Sequence, residues 1–265
     1  MYRVVASYKP GDAQKLGLGP ELRTNAPRLI YAQVTGYGLE DARVGYDAVV
    51  QAESGFTFMN GSKGEAGQPT KMPVALVDLL AAHQLKEAIL LALLQRERTG
   101  EGAHVHVSLM AAAVASLANQ ATGYLLAGQV PQRMGSDHPS ICPYGTDFYD
   151  KDGLPLILAV GSDAQFRSLC EVLGDPVLAV PRFARNEDRV AHRQELLDLL
   201  AMAIRAWRRE DLLRELQRRK VPCGAIADMA AVFDTEQAQA LVLRDEAGSA
   251  AGLRQACGRN WCQVR

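Results

Sequence analysis

A long aliphatic segment in the first half of the chain constrains the fold more than any other feature of the sequence. Residues 79–98 are mostly leucine, isoleucine and alanine, and they contain no proline or glycine. As one helix they would extend about 30 Å, at ~1.5 Å per residue. Arg96 and Arg98 suit the negative end of the helix dipole, and Gly100 suits the position just after the last turn. The segment therefore predicts a single long helix.

Asp78 stands directly before this helix, between it and the apolar run Met72–Val77. An isolated carboxylate among so many aliphatic side chains has two explanations. It caps the helix, because aspartate is a favoured N-cap, although Ala81 three residues later cannot complete a capping box. Alternatively, it is held in a partly dry cleft to do chemistry. The two roles are compatible, because amides at a helix terminus stabilise charge that develops nearby.

Segments typical of strands and helices alternate through residues 1–145. In chain order, the predicted elements are the end of a strand at 1–5, a short helix at 12–18, a strand at 28–34, a helix at 46–54, the long helix at 79–98, a strand at 103–108 and a helix at 109–127. In the 46–54 helix, we expect Val49 and Val50 to be buried. The alternation predicts an α/β fold, with residues 1–145 as its large domain.

Residues 146–226 predict a second, smaller α+β domain. Asp152-Gly153 is a hairpin signal between strands expected at 146–149 and 156–160. Helices are then expected at 162–173, 194–206 and 211–219, followed by an extended segment at 221–226. We interpret residues 227–265 as a C-terminal return segment. Its end, residues 256–265, follows neither the helix nor the strand period, which suggests a non-native terminus.

Charge and composition exclude several classes of partner. The formal net charge of the 265 residues is −1, and only 6% of them are aromatic. A nucleic-acid-binding protein usually carries a basic surface and aromatic stacking platforms, so we expect no nucleic-acid partner. The N-terminus lacks the order of a signal peptide. The longest purely apolar run is far short of the ~20 residues that span a bilayer, so we expect no membrane association.

Cysteine usage points to a reducing compartment. The five cysteines form no CxxC pair, and they are Cys142, Cys170, Cys223, Cys257 and Cys262. Reduced thiols are typical of a cytoplasmic protein, and the spacing predicts no metal site. His104 and His106 share one face of a strand with no third ligand near, so we expect them to be strand residues. We assign no catalytic role to them, to His83 or to the loop residue His138.

Four groups of motifs follow one another in a specific order and spacing. They are Ser7-Tyr8-Lys9-Pro10-Gly11 with Lys15–Leu18 and Asn25–Tyr31; Thr35–Gly38 with Gly45–Asp47, Gln51-Ala52 and Ser54-Gly55; Asp78 with its helix and Arg98–Gly102; and Gly135–Ile141 with Pro143-Tyr144, Asp152-Gly153, Ala159–Gly161, Gln165-Phe166 and Val221–Ile226. Together they resemble the class III CoA-transferases of the CaiB/BaiF type. That family includes formyl-CoA and carnitine CoA-transferases and the related alpha-methylacyl-CoA racemases.

The resemblance implies a function and a role for Asp78. Asp78 stands where the family keeps its nucleophilic aspartate, which accepts CoA from an acyl-CoA and passes it to a small carboxylic acid. The intermediates are a mixed anhydride and an aspartyl-CoA thioester. No permanently bound cofactor is implied, because coenzyme A enters as acyl-CoA substrate. The aliphatic surroundings of Asp78 suit a water-poor site, which would slow hydrolysis of the anhydride.

Tyr46 and Asp47 favour a transferase over a racemase. The racemases place a proton-transferring histidine at the position of Tyr46, and a phenol with a pKa near ~10 is a poor base at neutral pH. The resemblance therefore implies that Tyr46 and Asp47 line the active site of a transferase. An alpha-methylacyl-CoA racemase or epimerase stays as the alternative. A purely structural alternative is a tyrosine on a buried helix face, with Asp47 in the first turn of that helix.

The resemblance also implies CoA contacts, a fold and an assembly. Lys15 and Arg43 are expected at CoA phosphates, since a basic side chain gains a charge-assisted bond there, and Ser7 and Tyr8 at the nucleotide. Lys15 and Arg43 have the alternative of ordinary solvated cations. Family members form interlaced dimers and begin with a Rossmann-like βαβ region. This chain begins near the end of that region, so we expect a partial Rossmann-like domain and a homodimer. A shortened, inactive chain that acts only in assembly is a third possibility.

Overall fold

The computed structural model describes residues 3–9, 11–64 and 67–253. The chain divides into two compact units, residues 1–135 and residues 136–265. The boundary predicted from the sequence, at residue 145, lies ten residues further along the chain. The expected non-native end at residues 256–265 lies outside the described residues.

A three-stranded parallel sheet organises the first unit. Its strands are β1 (Arg3–Ala6), β2 (Ile30–Thr35) and β3 (His104–Ser108), with β2 in the centre. The helices of this unit are α1 (Asp12–Lys15), α2 (Leu22–Asn25), α3 (Asp47–Glu53), α4 (Phe56–Met59), α5 (Leu76–Thr99), α6 (Leu109–Ala115) and α7 (Ala118–Ala127). Because parallel neighbours need crossover connections, helices separate every pair of strands in the sequence. The predicted mixed α/β class is confirmed.

Helix α5 is the long helix that the aliphatic segment predicted, but it begins earlier. Its 24 residues start at Leu76, and Gly100 ends it in the left-handed conformation, with φ 80° and its N–H donating to the Arg96 carbonyl. The N-cap is Ala75, whose side chain accepts no hydrogen bond. Asp78 is therefore the third helical residue and not the cap. The prediction of a capping Asp78 is wrong, because the apolar residues before it already belong to the helix.

The predicted helix over residues 109–127 is two helices. Helices α6 and α7 meet at an angle of 73°. The hydroxyl of Ser116 donates to the Ala112 carbonyl at 2.7 Å, and Ala118 has φ 48°. Such local bonding competes with the regular ladder, and a left-handed residue ends it. Among the described residues, no single helix is long and apolar enough to cross a membrane. Helices α6 and α7 have that length and composition only when they are taken together as a bent pair.

Helix α3 buries one face only. Val50 is fully buried as expected, whereas Val49 is 43% exposed. The expectation that both valines are buried is therefore wrong for Val49. The buried face of α3 is formed by Val50 and Gln51, and Val49 lies ~100° further round the helix axis from Val50, outside that face.

The second unit contains an antiparallel sheet and most of the remaining helices. Its strands β4 (Tyr144–Tyr149), β5 (Pro155–Ala159) and β6 (Cys223–Ala225) pair in that order, which matches the hairpin expected at Asp152-Gly153. The other elements are α8 (Asp163–Leu173), α9 (Asn186–Ala191), α10 (Arg193–Ile204), α11 (Arg209–Arg218), α12 (Met229–Phe233), α13 (Glu236–Gln239), β7 (Val242–Arg244) and β8 (Ala250–Leu253). Short 3-10 turns occupy Pro176–Leu178 and Pro181–Phe183.

Candidate active site

A cavity of about 250 Å³ lies where the chain leaves β1 and β2. Ser7 follows the end of β1 and Gly36 follows the end of β2, so both line it from the carboxyl edge of the parallel sheet. Ligands of open α/β sheets bind at that edge. Five of the seven residues selected from the sequence line this cavity, namely Ser7, Tyr8, Arg43, Tyr46 and Asp78.

A second, larger cavity of about 500 Å³ runs along α5 and β1. It shares Ser7, Asp78 and two apolar residues with the first cavity. Its walls are mostly aliphatic side chains of α5, with Arg3 of β1 and Lys86 of α5 as the cations that line it. Asp78 therefore lies on the border between a polar cavity and an apolar groove.

The electrostatic setting of Asp78 raises the pKa of its carboxyl group. Partial burial is the main cause, and the nearby carboxylate of Asp47 adds to it. The residue is nevertheless exposed in the described chain, so water reaches its carboxylate. The expected water-poor surroundings are thus present only as the aliphatic groove on one side of Asp78.

Asp47 does not line either cavity but supports the start of α5. Its Oδ1 accepts a hydrogen bond from the backbone N–H of Val77 at 2.8 Å. Its Oδ2 accepts one from the Gln51 side chain at 2.7 Å. Asp47 therefore supplies the acceptor that an N-cap side chain would otherwise offer to a helix terminus. The resemblance implied that Asp47 lines the site, whereas in the structure it lines neither cavity, bonds to Val77, and lies close enough to Asp78 to influence its pKa.

Gln51 is the residue of this region that the sequence analysis did not single out. Its side chain is fully buried and hydrogen-bonded through both of its polar atoms. A signal was present, since Asp47 and Gln51 are four residues apart and hence neighbours on one helix face. Their partners in the 72–77 segment are not visible from sequence spacing.

Tyr46 and Arg43 line the polar cavity from the start of α3 and the loop before it. Tyr46 occupies the N-cap position of α3 and is 68% exposed, so the alternative of a buried tyrosine is wrong. The guanidinium of Arg43 stacks on the Tyr37 ring at 3.7 Å. It also pairs with Asp41 at 3.0 Å and with Glu53 at 3.7 Å. Arg43 is therefore held by its own loop, with its charge largely compensated.

Lys15 lies apart from both cavities. Its ammonium group pairs with Asp12 at 2.8 Å, and its side chain is 75% exposed. It lines neither the polar cavity nor the apolar groove. Lys9, which the sequence analysis quoted only as part of a motif, is a cation that does line the polar cavity. The CoA-binding role of Lys15 stays a prediction.

Two glycines bring the walls of the polar cavity into contact. A Cβ atom on Gly45 would lie 2.3 Å from the Cα of Gly36, and one on Gly36 would lie 2.7 Å from the Cα of Gly45. Real Cβ atoms do not approach a backbone so closely, hence neither position accepts a side chain without movement. The exit of β2 and the loop before α3 are thereby held together beside Asp78.

The model of CoA-transferase family III matches residues 4–253. The chain belongs to CoA-transferase family III. It is 39% identical over 246 residues to the succinate–glutarate CoA-transferase of Agrobacterium fabrum, covering 91% of this chain and 60% of the relative. It is 34% identical over 238 residues to the human succinyl-CoA:glutarate CoA-transferase, covering 88% of this chain and 53% of the relative.

The fold of this chain is also similar to that of a family member whose structure has been solved. The crystal structure of a CaiB/BaiF family protein from Brucella suis superposes with a TM-score of 0.82 at 37% identity, covering 97% of this chain and 68% of that one. This family III chain spans a little over half the length of the curated relatives it matches.

His104 and His106 of β3 form hydrogen bonds with side chains of the central strand, β2. The Nε2 atom of His104 lies 3.1 Å from the Gln33 side-chain oxygen, and that of His106 lies 2.9 Å from the Thr35 hydroxyl. In the part of the chain that the structure describes, no group of three or more His, Cys, Asp or Glu side chains is arranged to hold a metal ion.

Proposed function

We propose that this chain transfers CoA from an acyl-CoA to a small carboxylic acid, with Asp78 as the covalent nucleophile. The observation that supports this most strongly is the position of Asp78. Its carboxylate borders both a polar cavity, with Ser7, Tyr8 and Tyr46, and an aliphatic groove on α5. Burial and the Asp47 charge raise its pKa, which makes the carboxylate a better nucleophile once it is ionised.

The first half of the reaction loads CoA onto the enzyme. A carboxylate oxygen of Asp78 attacks the thioester carbonyl carbon, the carbon–sulfur bond breaks, and CoA leaves as the thiolate. The product on the enzyme is a mixed anhydride. The thiolate then attacks the aspartyl carbonyl carbon, and the bond between that carbon and the bridging anhydride oxygen breaks. The donor acid leaves as its carboxylate, and Asp78 carries CoA as a thioester.

The second half runs the same two steps with the acceptor acid. Its carboxylate attacks the aspartyl thioester and releases the CoA thiolate, which leaves a new mixed anhydride. The thiolate attacks the acceptor carbonyl, and the anhydride bond to Asp78 breaks. Each step exchanges one activated carbonyl for another, so no proton is consumed overall. Asp78 returns as a carboxylate and the acceptor leaves as its CoA ester.

The proposal also covers the acceptor acid, the oligomeric state and the cellular compartment. Relatives are named for succinate, glutarate and oxalate, so we propose a small carboxylic acid as acceptor. We also propose a homodimer with a partial Rossmann-like domain, acting in the cytoplasm without nucleic-acid or membrane partners. Exposed leucines on α7, with Leu125 at 76% and Leu126 at 83%, support self-association. Light scattering of the purified chain would give its mass in solution.

One experiment tests the proposed chemistry directly. The full chain is incubated with succinyl-CoA and, separately, glutarate, oxalate or acetate, and new CoA esters are followed by mass spectrometry. Borohydride or hydroxylamine traps the aspartyl thioester, and peptide mapping identifies the modified residue. We expect the adduct on Asp78, and neither adduct nor transfer in Asp78→Asn.

A matched control is available in the second unit. Asp211 also lies in the first turn of a helix, where it pairs with Arg214 on the surface. Asp211→Asn makes the same chemical change and should leave transfer intact. Full transfer by Asp78→Asn would sink the proposal. Exchange of the proton next to the acyl carbonyl, without exchange of acids, would favour the racemase alternative.

A further inference from the structure

We propose that Gln51 is a positioning residue for Asp78, acting through Asp47 and through the segment that leads into α5. The inference deepens the proposed transferase function and rests on it for its kinetic part. Gln51 is one helical turn from Asp47 on α3 and does not line either cavity. It therefore acts on Asp78 only through what it holds.

The side chain of Gln51 ties helix α3 to the loop that leads into α5. Its Nε2 group donates to Asp47 Oδ2 at 2.7 Å and to the Val74 carbonyl at 3.3 Å. Its Oε1 atom accepts from the Met72 backbone N–H at 2.9 Å. One amide thus binds a carboxylate on its own helix and both ends of a three-residue stretch of the loop.

Asp47 extends this set of hydrogen bonds to the helix that carries Asp78. With Oδ2 bound to Gln51, the other oxygen of Asp47 accepts the Val77 N–H at 2.8 Å. Val77 is the residue before Asp78 and is fully buried. The rotamer of Asp47 is therefore set by Gln51, and the start of α5 is set by Asp47.

Burial makes this arrangement sensitive to substitution. Gln51 is 0% exposed, so a side chain that cannot form these hydrogen bonds would put apolar atoms where its amide now meets Asp47, Met72 and Val74. A well-oriented nucleophile loses rate steeply with displacement, and about 1 Å can cost up to ~100-fold. Loosening the first turn of α5 should therefore slow the attack by Asp78 more than it weakens substrate binding.

The first test replaces the amide by a side chain of similar length that cannot form these bonds. In Gln51→Met, we expect kcat to fall by about tenfold or more, with KM for acyl-CoA changed by less than ~threefold. Backbone hydrogen exchange of the 72–80 peptide should become about tenfold faster. The labelling rate of Asp78 by a water-soluble carbodiimide should change as well, and this readout does not depend on transferase activity.

The second test exchanges the two side chains. In the double variant Asp47→Asn with Gln51→Glu, the new asparagine still accepts the Val77 N–H and donates to the new glutamate. That glutamate still accepts the Met72 N–H, and the total charge is unchanged. Only the longest bond, to Val74, is lost. We expect slow exchange of the 72–80 peptide to return, whereas Gln51→Glu alone places two carboxylates together and should stay loosened.

The matched control is Gln84→Met on α5. Gln84 donates one hydrogen bond to the Ala112 carbonyl at 3.3 Å, so the same chemical change removes one bond at a site away from the loop. It should change kcat by less than ~threefold. Circular dichroism and melting curves of each variant separate loosening from failure to fold.

The outcomes distinguish this inference from the proposed function. If the parent chain forms no CoA thioester on Asp78, the proposed function fails, and hydrogen exchange with carbodiimide labelling still decides the role of Gln51. If the parent forms the thioester but Gln51→Met has unchanged kcat, exchange and labelling, the role of Gln51 is overturned. Equal behaviour of the exchanged double variant and Gln51→Glu would also overturn it.

Discussion

Asp47 accepts the backbone N–H of Val77 at 2.8 Å, although the two residues are 30 positions apart in the sequence. An acid on α3 thus satisfies an amide at the start of α5, where the local sequence offers no capping side chain. The same carboxylate contributes to the raised pKa of Asp78. Asp47 therefore both stabilises the start of α5 and raises the pKa of Asp78.

The two functions of Asp47 can be separated by substitution. Asp47→Ala removes the acceptor and should destabilise the first unit by about 1–2 kcal/mol, typical of a lost helix cap. Asp47→Asn keeps an acceptor for Val77 but removes the charge and the acceptor for Gln51, so it should cost less than Asp47→Ala and lower the pKa of Asp78 towards its ordinary value. Hydrogen exchange in urea on α5 peptides measures stability, and the pH dependence of carbodiimide labelling reports the Asp78 pKa. Equal losses in the two variants would contradict this division.

The presence of α5 and its C-terminal end could be predicted, but its start, and with it the position of Asp78 within the helix, could not. Aliphatic residues without glycine or proline predicted the helix and its end at Gly100. The start carries no local signal, because its acceptor comes from Asp47, which is distant in sequence. The break between α6 and α7 was missed for a related reason, since an alanine-rich run does not show where Ser116 will bond to Ala112.

In the candidate site, too, the sequence predicted which residues come together better than it predicted their side-chain contacts. The structure brings Ser7, Tyr8 and Tyr46, which the motifs assigned to the same site as Asp78, to one cavity, since the loops that follow parallel strands meet at one edge of the sheet. The direction of the Lys15 side chain could not be predicted from its position in the sequence. In the structure its ammonium group forms an ion pair with Asp12. Side-chain pairing of exposed charges depends on local rotamers that the sequence pattern does not specify.

Asp78 should cost the folded protein stability at neutral pH. Because the pKa of its carboxyl group is raised on folding, the ionised form is disfavoured in the folded state. Its contribution is most favourable below the unfolded pKa of about 3.9 and is lost as the pH rises through the folded pKa. Asp78→Asn should therefore raise the melting temperature slightly at pH 7, by an amount that solvent screening keeps small. The difference from the parent should shrink towards pH 4, and a destabilised Asp78→Asn at pH 7 would contradict this account.

Gly45→Ala should open the contact between the two loops of the polar cavity. Its Cβ would lie 2.3 Å from the Gly36 Cα, so the backbone must move. We expect a loss of about 1–3 kcal/mol from overpacking, and slower formation of the aspartyl thioester, since both glycines line the cavity. Gly123→Ala is a matched control, because nothing lies within 4 Å of a Cβ at Gly123 and the residue is within α7. Thioester trapping and melting curves measure both effects, and equal behaviour of the two variants would refute the argument.

The paired histidines of β3 should make the first unit less stable in weak acid. Burial lowers the pKa of His104 and of His106, with Arg23 adding to the first effect and His104 adding to the second. An unfolded histidine with a pKa near ~6.5 takes up protons before the folded one does.

Stability contributed by such a histidine is present above the unfolded pKa and is lost as the pH falls towards the folded pKa, by at most about 1.4 kcal/mol per pH unit for each group. Asp78 acts in the opposite direction in acid, so variant and parent must be compared at each pH. In His106→Gln, which retains a hydrogen-bonding group near Thr35, the loss of stability between pH 7 and pH 5 should be smaller than in the parent. Hydrogen exchange of β2 and β3 peptides at both pH values, corrected for the intrinsic exchange rate, measures this slope. An equally steep loss in His106→Gln would show that His106 does not carry the effect.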